Sequence, residues 1–218
     1  MSPETLWYSF AHEHATVPVL VRRYHLSEKT VRTRLDAYTP RIQKPRPRTM
    51  VAVIDATKVG LKWLLVVRDP HAKENVYARF LYSESTSDYQ AARLELEQCG
   101  FTFSAIVSDG RFIAVPWLFK GIPLQMCHYH QIQIIIKYLT RNPKLEAGIE
   151  LLELVRTLPH TDAASFTDAF NLWCRTWETF LKEKTHDEET GRWHWTHKRV
   201  RQARDSVNAH LPFLFTYE

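Results

Sequence analysis

Asp55 and Asp109 are the residues of this chain best placed to do chemistry. Each closes a short hydrophobic run, Met50-Val-Ala-Val-Ile-Asp55 and Ala105-Ile-Val-Ser-Asp109-Gly110. Runs this short, rich in β-branched residues and bounded by polar ones, read as buried strands. Two strands that deliver a carboxylate at the same end can direct both at one cation. Mg²⁺, with Mn²⁺ as its substitute, takes oxygen ligands and is held by one or two protein carboxylates together with substrate phosphate. Ions held this way act on phosphodiesters. Taken singly, either Asp is read as well as a residue that ends a strand and starts a turn. The pair gains weight from the basic features that precede it.

Those features lie in the first quarter of the chain. Residues 1–50 carry nine Lys/Arg and four Asp/Glu, whereas residues 51–218 carry twenty of each. The whole net charge of +5 therefore sits at the N-terminal end, a distribution suited to a polyanionic partner. Residues 1–38 read as a helix-turn-helix region. Val17, Leu20 and Val21 make a first apolar face, Tyr24-His25-Leu26 breaks it, and Ser27 is placed to cap a second helix. In that helix Val31 and Leu35 face inward and Thr30 buttresses the turn. Ser27, Lys29, Arg32, Thr33 and Arg34 are left for DNA, in the manner of a recognition helix in the major groove. A helical pair used only for packing has the same apolar pattern. Residues 39–49 read as a basic linker, with Pro40, Pro45 and Pro47 opposing helix. Its Arg41, Lys44, Arg46 and Arg48 could track phosphates without reading sequence, or simply solvate a hinge.

Residues 50–142 alternate strand and helix. Strands are expected at Val51–Asp55 and on through Gly60, at Trp63–Arg68 and at Val76–Tyr82, joined by turns short enough for antiparallel neighbours. A helix over Ser87–Gln98, a strand over Phe101–Asp109, a short helix over Arg111–Phe119, a strand over Ile122–Met126 and a helix over His130–Leu139 follow. This is the element order of a ribonuclease H-like α/β core, a mixed five-stranded sheet with helices. In that architecture the first and fourth strands are neighbours, about 4.8 Å apart. Residues 143–218 read as an all-helical insertion. Phe166, Phe170, Trp173, Trp177 and Phe180 form a stripe at helical spacing that belongs to packing, and a last helix is expected over His197–Asn208. Two local motifs stand apart. Cys127-His128-Tyr129-His130 resembles half a zinc site, but no second half is evident, so a structural, metal-free role is expected. Trp193-His194-Trp195-Thr196-His197 could stack on bases, although burial is the expected state of its tryptophans.

With these motifs together, the chain resembles the DDE transposases of bacterial insertion sequences, in their Mutator-like branch. The resemblance rests on Ile54-Asp55-Ala56-Thr57, Ser108-Asp109-Gly110-Arg111, Pro123 to Gln131, Tyr138 to Lys144, Trp195-Thr196-His197 and Leu214-Phe215-Thr216-Tyr217. It implies cutting and joining of insertion-sequence ends, with Asp55 and Asp109 as the first two acids of a catalytic triad and as metal ligands. Cys127 and His130 match the family's Cys-x-x-His signature, whose role is less defined. The family's third acid is a glutamate in a stretch like Asn-x-x-Glu-Gly, and the chain contains no Glu-Gly dipeptide. The expectation is therefore a shortened transposase with two of three acids, which binds DNA as an oligomer and cleaves weakly or not at all alone. Glu84 or Glu178 could serve a complete nuclease instead. A transcription regulator with an α/β sensing domain is the competing reading. Three widely spaced cysteines point to a reducing, cytoplasmic setting, and the resemblance to transposases implies association with the bacterial nucleoid. No apolar stretch approaches the roughly 20 residues that span a bilayer.

Overall fold

The computed structural model describes residues 1–39, 45–109 and 115–216. The chain divides into two compact units, Met1–Lys44 and Pro45–Glu218.

The first unit holds three helices, α1 (Pro3–Ala11), α2 (Val17–Tyr24) and α3 (Glu28–Ala37). Leu6, Leu20 and Val31 are fully buried among them, with Ala15 beside them. The break between α2 and α3 is made by His25, which takes the left-handed conformation at φ 51°. Ser27 then caps α3: its Oγ accepts from the Thr30 N–H at 3.1 Å and meets Thr30 Oγ1 at 2.7 Å. Helix α1 is an addition to the sequence reading, whose helical pair begins near Val17. Ser2 as N-cap and Pro3 in the first turn are the start signals that mark it.

The second unit is built on a mixed five-stranded sheet with flanking helices, an α/β arrangement consistent with a ribonuclease H-like core. Its strands are β1 (Thr49–Val59), β2 (Lys62–Asp69), β3 (Glu74–Leu81), β4 (Thr102–Ser108) and β5 (Leu124–Met126), in the order β3-β2-β1-β4-β5. The first three form an antiparallel meander; β1, β4 and β5 run parallel. Met50, Ala52 and Ile54 of β1 and Leu65 and Val67 of β2 pack with Tyr89, Ala92 and Leu96 of α4 (Thr86–Gln98). Alternation along β1 then assigns Val51, Val53 and Asp55 to the opposite face. The short α5 (Val115–Leu118) leads to β5, and α6 (His128–Leu139) follows.

A second core joins α6 to α7 (Glu146–Arg156), α8 (Ala163–Thr176) and α10 (Lys198–Leu214). Phe166, Phe170 and Trp173 are buried there, and Trp177 and Phe180 pack against its margin. Between α9 (Glu178–Lys182) and α10 the chain is not helical. It forms an antiparallel hairpin, β6 (Lys184–Asp187) and β7 (Arg192–Trp195). This corrects the all-helical expectation for residues 143–218. The turn explains it: Asp187 Oδ1 accepts from the Glu189 and Thr190 N–H groups, and Gly191 adopts φ 67°. The hairpin tryptophans also depart from expectation, since Trp193 is 65% exposed and Trp195 37%.

Candidate functional site

Asp55 does not end its strand. It lies within β1, opposite Val66 of β2. What ends beside it is the parallel ladder to β4, whose last pair is Ile54 with Ser108. One step further along both strands come Asp55 and Asp109. Val53 and Val107 are paired in the same ladder, so the two aspartates follow on the same face in matching register. The sheet thus sets two carboxylates side by side where the parallel strands part.

The third group arrives from β5. Cys127 follows this strand and its N–H donates to the Ser108 carbonyl at 2.9 Å, which holds the start of α6 against the end of β4. Three residues on, in the first turn of α6, His130 reaches the carboxylates. Its Nε2 lies 3.7 Å from Asp55 Oδ1. One donor atom from each of Asp55, Asp109 and His130 lies within 4.8 Å of the others. Oxygen and nitrogen ligands of a single six-coordinate ion, with bonds near 2.1 Å, stand roughly 3–4 Å apart, so the three can share an ion after small adjustments. The donor set of two carboxylates and one imidazole suits a divalent cation. Asp55 and His130 keep 40% and 30% of their side chains exposed, leaving room for water and substrate. The sequence reading gave the Cys127-to-His130 motif a metal-free structural role; the closeness of His130 to both aspartates makes it a candidate ligand. Periodicity could not reveal this, because His130 reaches the aspartates only after the chain has passed through β5.

Local contacts orient the three. Thr57 Oγ1 donates to Asp55 Oδ2 at 3.2 Å. The neighbouring Cys127 thiol raises the His130 pKa above the ordinary histidine value; burial opposes it, and the nearby Asp55 and Asp109 carboxylates add to the rise. Burial pushes the Cys127 thiol up, yet the adjacent His130 imidazole and the backbone amides at the start of α6 outweigh that and lower it overall. Cys127 therefore acts on the site through the imidazole. Helix α6 is itself pinned from behind. Gln131, fully buried, meets His210 Nδ1 of α10 through Oε1 at 2.7 Å and donates through Nε2 to Ser206 Oγ at 3.4 Å. Thr216 Oγ1, just past α10, donates to the Leu124 carbonyl of β5 at 2.7 Å. A buried, satisfied polar network of this kind fixes one arrangement of the packed elements.

Other expected site residues fall elsewhere. Lys29, Arg32 and Thr33 lie exposed on α3, and Arg34 is half-buried, donating to the Met1 carbonyl at 2.9 Å. Arg32 pairs with Glu28 one turn away. Arg41 and Lys44 lie outside the described residues. Arg46 is exposed, but Arg48 is not a free linker cation. Its guanidinium binds Asp69 at 2.7 Å and Glu74 at 2.8 Å, tying the start of β1 to the β2–β3 turn. Neither Glu84 nor Glu178 joins the group at Asp55: Glu84 accepts from Tyr89 Oη, and Glu178 pairs with Lys182. His194 and His197 do not join it either; His197 stacks on Phe180 at 3.5 Å and bonds Glu183 at 2.8 Å. Among the described residues, no helix is long and apolar enough to cross a membrane.

No protein-family model and no curated protein matches the sequence. Among solved structures, the chain is similar to a chain of the simian T-cell lymphotropic virus intasome in complex with PP2A regulatory subunit B56 gamma. The identity is 15%, the TM-score 0.30, and the match covers 74% of this chain and 69% of that one. The functional reading therefore stands on the geometry of the site itself.

Proposed function

We propose that this chain is a DNA-cutting and strand-joining protein of the transposase kind, using divalent metal held by Asp55, Asp109 and His130. One observation carries the reading: a carboxylate within β1 and another directly after β4, one residue past the last pair of the parallel ladder, with an imidazole beside both. Magnesium is the ion assigned, with manganese as its substitute. Bound metal would activate a water or a 3′-hydroxyl and stabilise the leaving oxygen of a phosphodiester. The protein's own groups do the rest. Asp55 and Asp109 supply the negative charge that concentrates the cation. His130 completes the described donor set, and the α6–α10 network fixes the helix that carries it.

The reading takes the N-terminal unit as a helix-turn-helix that positions DNA through α3. It takes the helices after residue 142, with their hairpin, as an insertion into a ribonuclease H-like fold. A transposase of the resembled pattern has a glutamate as third acid. Among the described groups, His130 stands where a third donor is needed, so this reading expects metal binding from the chain and weak cleavage.

Calorimetric titration with Mn²⁺ tests it. Saturable binding by the full chain is expected, abolished in Asp55→Ala and Asp109→Ala and weakened in His130→Ala. No binding by the wild-type chain, or equal binding by the aspartate variants, would refute the reading.

A further inference from the structure

The hairpin β6–β7 is left unused by the proposed cleavage site, and its two faces differ sharply in chemistry. In the antiparallel register Lys184 opposes Trp195 and His186 opposes Trp193. Directly opposed residues share a face, so both tryptophans, the lysine and the histidine point the same way. Thr185, His194, Asp187 and Arg192 occupy the other face. Trp195 is already organised: Lys184 Nζ lies 4.7 Å from its ring centre and Arg201 Cζ of α10 lies 3.7 Å from it. Arg201 is fixed in turn by donating to the Leu181 carbonyl. Trp193 stands open beside it, 65% exposed, with His186 tilted against it at 5.0 Å among the described residues. A tryptophan left this exposed forgoes the burial its large apolar ring would gain.

We infer that this face of the hairpin is a docking platform for single-stranded DNA, with an unpaired base stacking on Trp193 and its phosphates meeting Lys184 and Arg201. Charge complementarity selects the occupant. Lys184 and Arg201 lie on or beside the aromatic face, and Arg192 lies on the other. Of the acids, Glu183 is taken by His197 and Asp187 by the amides of its own turn, and Glu188 and Glu189 sit in that turn. An apolar protein partner would bury Lys184 and Arg201 without counter-charge, whereas a nucleic acid strand supplies both a π-face and phosphates. A paired duplex keeps its bases stacked on one another, so an open tryptophan face selects unpaired ones. The inference deepens the proposed DNA-acting reading by naming a substrate class, and rests on that reading for the choice of DNA.

The test is fluorescence anisotropy of a labelled oligothymidylate of about ten nucleotides with the full chain in EDTA. Wild-type protein is expected to bind it. Trp193→Ala should weaken binding about tenfold or more while Trp193→Phe retains most of it. Lys184→Ala should weaken binding and lessen its salt dependence. Trp193 is solvent-exposed, so these variants are expected to fold, and circular dichroism checks that. A wild-type chain that does not bind the oligonucleotide, or a Trp193→Ala variant that binds as tightly, overturns the inference. The oligonucleotide assay contains no divalent ion and the Mn²⁺ titration contains no DNA, so failure of the metal site and failure of this platform are told apart.

Discussion

Replacing Asp55 by asparagine is expected to change stability in opposite directions with and without a divalent ion. Donor atoms of Asp55 and Asp109 lie within 4.8 Å of each other. Both side chains are partly exposed, so a water-like dielectric applies and two like charges at that separation repel by about 1 kcal/mol. Without metal, Asp55→Asn removes this repulsion and keeps an oxygen for Thr57. The variant should then melt slightly higher than the wild type. The gain depends on His130. Its pKa is raised in the folded protein, so its charged form contributes stability fully below the unfolded-state value, and that contribution is lost as pH rises through the folded value. While charged, the imidazolium offsets the repulsion. The advantage of Asp55→Asn should therefore be greatest at pH above the folded His130 pKa and shrink or invert below it. Metal reverses the order. At a free Mn²⁺ concentration about 100-fold above its dissociation constant, binding to the native state alone adds about 2.7 kcal/mol. For a cooperative unit the size of Pro45–Glu218, that corresponds to a rise of roughly 5–11 °C in melting temperature. Asp55→Asn should forgo most of it. Differential scanning calorimetry in EDTA and in Mn²⁺, at two pH values, reads all four combinations. An equal Mn²⁺ response in both proteins, or a metal-free variant that melts well below the wild type at high pH, would show that the carboxylates do not share an ion site.

Two further outcomes follow from contacts away from the site. Asp69 is buried, and its carboxylate accepts from the His71 and Ala72 N–H groups as well as Arg48. Asp69→Ala strands those donors and should cost about 2–3 kcal/mol in urea unfolding. Burial pushes the Asp69 carboxyl up, but the Ala72 amide, Arg48 and the His71 amide outweigh it, leaving the pKa lowered. Its stabilising contribution is thus present above the unfolded carboxyl value near pH 4 and is lost as pH falls through the folded one. Wild-type protein should lose more stability than Asp69→Asn across that acid range. In the first unit, Ser27→Ala removes the acceptor for the Thr30 N–H and should cost about 1 kcal/mol, seen as faster amide exchange along the first turn of α3.

Much of this architecture is legible in local pattern. The apolar runs of β1, β2, β4 and β5 and the amphipathic helices α6 to α8 show in periodicity, because each element's burial is written in its own residue spacing. Ser27 as a cap and the break at His25 are equally local. Where local signals are weak, the reading fails. The hairpin went unassigned within the expected helical insertion because its strands are only four residues long. The alternation of Lys184-Thr-His-Asp and Arg192-Trp-His-Trp around a turn ending in Gly191 was its available signal. Arg48 was taken as a linker cation because Asp69 and Glu74, which neutralise it, come within reach only when β2 and β3 fold back.

By itself, the sequence determined the two carboxylates, the strands that carry them and the concentration of positive charge near the N-terminus. These depend on residue type and short-range spacing, which one sequence displays. Tertiary structure alone decided that β1 and β4 run in a register placing Asp55 level with Asp109, that α6 brings His130 to both, and that Trp193 faces water. Those outcomes depend on strand pairing and helix docking between residues tens of positions apart, where the choice is made by the packing of the whole unit.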